Sequence, residues 1–268
     1  MRTCFTYLGI LAAVGLAMPA QAKTICTVVA DAATGTTLVE QGNCNERYTP
    51  ASTFKVPLAL MGYDSGFLED ATAPKLPFRE GYADWGGENW TQATDPTRWM
   101  KYSVVWFSQV MAQSLGEQKL HRYAVKFDYG NADFAGDPGK DNGLERAWIS
   151  SSLKISPREQ VAFLRRLVNR DLPVSEHAYD MTMQIVEKTA LQDGWVAQGK
   201  TGMAYPRKPD GRFDYEHPWG WYVGWATKGE RTIVFARLVQ EEKRLKGSAG
   251  ARVRDALFQE LPSLLATE

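Results

Sequence analysis

Segments that read as β-strands stand at the two ends of this chain, and segments that read as helices fill its middle. Near the start, Thr24 to Ala30 and Thr36 to Glu40 flank Ala32-Ala33-Thr34-Gly35, a hairpin turn signal. In the last third, Trp195 to Thr201, Trp219 to Thr227 and Thr232 to Gln240 read as strands, the last two joined around Lys228-Gly229-Glu230. Between them, Thr53 to Tyr63, Ser103 to Leu115, Lys119 to Phe127 and Val174 to Thr189 read as helices. Another opens at Ser156-Pro157-Arg158-Glu159, with Ser156 as N-cap and Val161, Leu164 and Val168 on one face. Asp255 to Leu265 reads as a closing helix. Asp70 to Arg98 and Ala132 to Asn142 read as irregular connections. This order predicts an α/β fold of the α+β type. One antiparallel sheet is built from both chain ends, terminal helices pack on it, and a helical lobe is inserted. Such a sheet cannot be cut at a linker, so residues 23–268 are expected to form a single domain.

Residues 1–22 read as a cleaved signal peptide. Arg2 is followed by the short apolar run Leu8 to Ala20, too short to span a bilayer comfortably, and Ala20-Gln21-Ala22 is a small-x-small cleavage site. The mature chain is then expected to start at Lys23 and to be secreted or periplasmic. Cys4 leaves with the leader. Cys26 and Cys44 lie about equally far either side of the turn at Gly35, so antiparallel pairing predicts a disulfide between them; the alternative is two free buried thiols. Lys and Arg number 31 and Asp and Glu 31, a balance that argues against a nucleic-acid partner. The sequence gives no reason to expect a membrane-surface helix, and it leaves the oligomeric state open.

Two motifs carry chemistry. In Ser52-Thr53-Phe54-Lys55, residues three apart at a helix start share a face, so the lysine amine sits beside the serine hydroxyl. A serine needs a base to become a nucleophile, and free N–H groups at the helix start can hold an oxyanion. Lys200-Thr201-Gly202 ends a strand, where lysine and threonine can hold a carboxylate and glycine admits a ligand to the backbone. Ser-x-x-Lys with a downstream Lys-Thr-Gly marks the penicillin-interacting serine enzymes. No metal is expected: His121, His177 and His217 show no ligand spacing.

Between these motifs lie Ser103-Val104-Val105 and Tyr129-Gly130-Asn131, where class A β-lactamases carry Ser-Asp-Asn. With Trp148, Leu153-Lys154-Ile155-Ser156 and Trp219-Gly220-Trp221-Tyr222-Val223-Gly224-Trp225, the pattern resembles the class D, or oxacillinase, serine β-lactamases from roughly Tyr48 to Leu261. The resemblance implies the penicillin-binding-protein/β-lactamase-like fold and a small-molecule β-lactam substrate. It implies that Ser52 is acylated and that Lys55, carboxylated by carbon dioxide to N6-carboxylysine, is the general base. No other cofactor is implied. Trp148 would hold the carbamate, Ser103 relay a proton, and Val105 and Ile149 form an apolar wall. Backbone N–H groups of Ser52 and Met203 would form the oxyanion hole. Tyr129, Asn131 and Gly202 belong to the substrate site by the same resemblance. Lys200, Thr201 and an arginine would bind the substrate carboxylate, with Arg254 preferred over Arg252 because Ala256-Leu257 follows it. A penicillin-binding D,D-peptidase or a non-turnover β-lactam sensor are the alternatives.

Overall fold

The computed structural model describes residues 22–191 and 194–265. The leader expected at residues 1–22 lies, but for Ala22, outside them. Strands β1 (Lys23–Asp31), β2 (Thr37–Gly42), β3 (Lys188–Ala190), β4 (Val196–Ala204), β5 (Trp219–Lys228) and β6 (Arg231–Gln240) form one six-stranded sheet in the order β2-β1-β6-β5-β4-β3. Every pairing is antiparallel. The first strand thus pairs with the last, and the sheet is built from both chain ends.

Successive strand side chains point to opposite faces, and both faces of the central strands are covered. On one face, Val28, Trp221, Val223, Trp225, Val234 and Ala236 pack into the large core that includes the helical lobe. On the other, Val29, Tyr222, Phe235, Val253 and Leu257 form a second core under helix α8 (Ala249–Leu265). The lobe comprises α1 (Lys55–Asp64), α2 (Pro96–Tyr102), α3 (Val105–Leu115), α4 (Glu117–Lys126), α5 (Gly143–Arg146), α6 (Pro157–Val168) and α7 (Glu176–Ile185). The Ser156 hydroxyl accepts from Glu159 N–H while the Glu159 carboxylate accepts from Ser156 N–H, a capping box that starts α6 where the sequence places it. Cys26 and Cys44 are disulfide-bonded, with Cα atoms 5.1 Å apart, joining β1 to the segment after β2.

Three boundaries differ from expectation. The helix read over Val174 to Thr189 stops at Ile185, and Thr189 instead pairs with Ala197 as part of the edge strand β3. The segment lacks a glycine or proline stop, and pairing along β4 outweighs its local helical periodicity. Helix α2 lies partly inside the stretch read as irregular. Its Asp95 N-cap, which accepts from Arg98 N–H, and Pro96 in the first turn are ordinary start signals lost among neighbouring breakers. Helix α8 begins six residues before Asp255, so Arg252 and Arg254 lie inside it.

Candidate active site

A 3-10 turn, Ala51–Phe54, runs directly into α1, whose first residue is Lys55. This turn takes the place of the first helical turn expected from the sequence and still sets Lys55 Nζ 3.4 Å from Ser52 Oγ. Lys55 is 1% exposed, and Ser52 is the one hydrogen-bond partner of its amine among the described residues. Burial holds the Lys55 amine well below the usual lysine range, and the charge of Lys200 pushes the same way. The turn is tied down from behind. Thr53 Oγ1 donates to the Pro50 carbonyl at 2.7 Å and accepts from Gln160 Nε2 of α6 at 3.0 Å.

Ser52 faces a cavity of about 570 Å³, and Lys55 lies buried behind it. Trp148, Ile149 and Val105 supply part of its apolar lining, and the Trp148 ring stacks on Phe54 with centroids 5.3 Å apart. Ser103 also lines it. Ser103 ends α2 at φ 59°, and its Oγ is buried without a hydrogen-bond partner among the described residues. Ala51 (φ 51°) and Ser150 (φ 54°), next to Ser52 and Ile149, are left-handed too. Each such non-glycine residue costs about 1 kcal/mol or more. Three of them around one cavity show that packing fixes these backbones against local preference.

Strand β4 brings Lys200, Thr201, Gly202 and Met203 to the opposite wall. A Cβ at Gly202 would lie 3.0 Å from the Pro50 carbonyl oxygen and 3.1 Å from Thr53 Cγ2, a crowded fit that glycine relieves where β4 meets the turn carrying Ser52. Lys200 is 5% exposed and donates to the Thr201 carbonyl at 3.2 Å. Burial draws its amine down to about 8, with the Glu187 carboxylate opposing and the Arg254 charge adding to the fall.

Three expected substrate contacts lie elsewhere. Tyr129 is fully buried, its ring against Phe54 and Phe163, with its hydroxyl accepting from Gln160 Nε2. Asn131 accepts from Lys154 N–H and donates to the Ser152 carbonyl, both at 2.8 Å, and so anchors the segment that follows Trp148. Both brace the site from outside its lining. Arg254 borders a separate small cavity of about 80 Å³ with Lys200, Thr201 and Glu187, and pairs with Asp255 at 2.8 Å. Arg252 is held by Glu241 at 2.7 Å. Neither arginine lines the cavity of Ser52, although Arg254 borders the neighbouring one through the shared residues Lys200 and Thr201; Gly247 and Ser248, just before α8, line the Ser52 cavity. Sequence reading missed these two, together with Lys101, Tyr102, Trp85 and Trp90. Nearby Trp99 is fully buried and donates to Ser108 Oγ, whereas Trp85 is 63% exposed.

Comparison with known proteins agrees over most of the chain. The penicillin binding protein transpeptidase domain family matches residues 25–263. The β-lactamase OXA-9 of Klebsiella pneumoniae is 42% identical over 243 residues, 91% of this chain and 89% of that one. The crystal structure of the class D β-lactamase OXA-427 superposes with a TM-score of 0.84 at 46% identity, covering 90% of this chain and 98% of the other. The C-terminal domain of the Bacillus licheniformis BlaR penicillin receptor has a TM-score of 0.72 at 26% identity, covering 88% of this chain and 89% of that domain.

Proposed function

The chain belongs to the class D β-lactamases, hydrolases that open the β-lactam ring and so give antibiotic resistance, and we propose that it works through an acyl-enzyme on Ser52 with Lys55, carboxylated on Nζ, as general base. One observation carries the reading: a fully buried lysine with no carboxylate partner among the described residues has its amine 3.4 Å from the Ser52 hydroxyl. Only a neutral amine attacks carbon dioxide, and desolvation favours the neutral form of Lys55. The site fits the modification: the walls are apolar, and the Trp148 indole can only donate a hydrogen bond, which suits an anion. Carboxylation exchanges an N–H proton for a C–N bond and supplies an anionic oxygen base.

Ser52 gives its proton to the base carried by Lys55, and Ser52 Oγ attacks the lactam carbonyl carbon. Backbone N–H groups of Ser52 and Met203 hold the resulting oxyanion. The unpartnered Ser103 hydroxyl gives its proton to the ring nitrogen as the C–N bond breaks and takes in its place the one the base received from Ser52. The freed base then deprotonates a water that cleaves the ester, and returns that proton to the departing Ser52 Oγ. Lys200, Thr201 and Ser248 face the substrate carboxylate. The reaction needs no metal and takes place outside the cytoplasm, in keeping with the leader-like N-terminus and the Cys26–Cys44 bond. Among the described residues no helix is long and apolar enough to cross a membrane.

Steady-state hydrolysis of benzylpenicillin, with intact mass of Ser52→Ala, tests the proposal. The wild type should turn over. The variant should lose about four orders of magnitude in kcat or more and take no acyl adduct. An adduct on Ser52→Ala would overturn the assignment. Acylation of the wild type without turnover would make the chain a receptor or a D,D-peptidase.

A further inference from the structure

Trp85 is the most exposed of the large apolar side chains among the described residues. It borders the cavity of Ser52 and, equally, a neighbouring cavity of about 580 Å³ floored by Tyr82 and Trp106. Its loop is nonetheless firmly seated. Gly87 N–H donates to the Asp84 carbonyl at 3.0 Å, and Trp90 N–H to the Gly87 carbonyl at 2.8 Å. A Cβ at Gly86 would lie 2.0 Å from the Trp90 ring, so the backbone lies flat on that indole. Trp90 Nε1 donates to the Tyr102 carbonyl, and Trp106 Nε1 donates to the Trp90 carbonyl. The frame is rigid, yet the Trp85 ring is left in water beside Trp90, with centroids 5.5 Å apart. Exposed aromatic surface on a fixed frame at a cavity wall is what a flat apolar ligand group recognises.

The cavity is chemically divided. Lys200, Thr201 and Ser248 offer charge and hydroxyls, while Trp85, Trp90 and Tyr102 offer aromatic surface. A penicillin is divided in the same way, with a carboxylate on one ring and an acylamino group on the other. We propose that Trp85 is a specificity-determining residue that stacks on the aryl group of the substrate's acyl side chain. This rests on the hydrolase reading above.

The test compares benzylpenicillin with 6-aminopenicillanic acid, which has the same nucleus and no acyl group. Trp85→Ala should raise KM for benzylpenicillin roughly three- to tenfold with kcat within about twofold, the loss expected for one aromatic contact. KM for 6-aminopenicillanic acid should not move. Trp85→Phe, which keeps a flat ring, should restore most of the difference. Equal loss on both substrates, or no loss on benzylpenicillin, overturns the role of Trp85 while wild-type turnover leaves the hydrolase reading standing. A wild type inert toward both substrates overturns that reading, and the role of Trp85 with it.

Discussion

The ring of Phe54 stacks on that of Trp148 at an interplanar angle of 27°, so the residue between the proposed nucleophile and base is clamped to the wall that closes over the base. Trp148→Ala should therefore do two things. It should cost about 3–5 kcal/mol of stability, as large-to-small core changes do, read as a lower midpoint in urea. It should also admit water to Lys55 and lower carbamate occupancy. Acyl-enzyme should then accumulate in the mass spectrum, and added bicarbonate should restore part of the turnover. Trp148→Phe keeps the stack but loses the indole N–H, so it should recover stability while still deacylating slowly. A Phe variant with normal deacylation would remove Trp148 from the mechanism.

Lys55→Met should be more stable than the wild type by about 1–3 kcal/mol, because it replaces a buried ionisable chain by an apolar one of similar length. It should also be inactive. Thermal unfolding and nitrocefin hydrolysis check both halves. A destabilised Met variant would mean that Lys55 holds the site together by contacts other than its hydrogen bond to Ser52.

Lys200 makes a prediction with a sign. Its folded-state pKa is about 8 and its ordinary value 10.5, so between those pH values the unfolded chain binds more protons. Stability contributed by this group should rise with pH across that window, and Lys200→Met should flatten the slope. Function should run the other way. As Lys200 loses its charge above about pH 8, KM for a carboxylate-bearing β-lactam should rise. Lys200→Arg, charged throughout, should have a KM that stays level over the same range.

The bond between Cys26 and Cys44 closes a loop of sequence separation 18. Chain-entropy arguments put its contribution at about 3 kcal/mol. The double Ser variant should show that loss in denaturant midpoint while retaining kcat, since neither cysteine lines the cavity. A large fall in kcat under conditions where the variant is folded would mean that β1 positions the site more directly than its place in the sheet suggests.

Much of this was legible in the residues. Strand alternation at both ends gave the sheet, and the i to i+3 spacing of Ser52 and Lys55 gave their contact. Lys200 to Met203 fell on the cavity wall because a strand end sets their direction. What escaped was set by packing between distant segments. The Thr189 edge strand exists because β4 offers it hydrogen bonds. Only packing separates the two candidate arginines, Arg254 lying beside Lys200 and Thr201 and Arg252 held by Glu241. The left-handed backbones at Ala51 and Ser103 carry no local signal, because neither residue type favours that conformation. Trp85 and Trp99 are the same residue type in neighbouring segments, one exposed and one fully buried, and only the course of the loop tells them apart.

The pairing of β1 with β6 has a consequence for how the protein comes into being. Lys23 lies opposite Gln240, so the first strand to be synthesised waits for the last. Such long-range closure is slow, and the waiting strand is exposed to wrong partners. A nascent chain halted before Arg231 would already carry Ser52, Lys55, Ser103, Trp148 and Lys200, yet the β1–β2 hairpin would have no β6 to join it to the rest of the sheet. C-terminal truncation should thus act as a switch rather than a dial: every residue of the chemistry can be present in a polypeptide that has no catalyst in it.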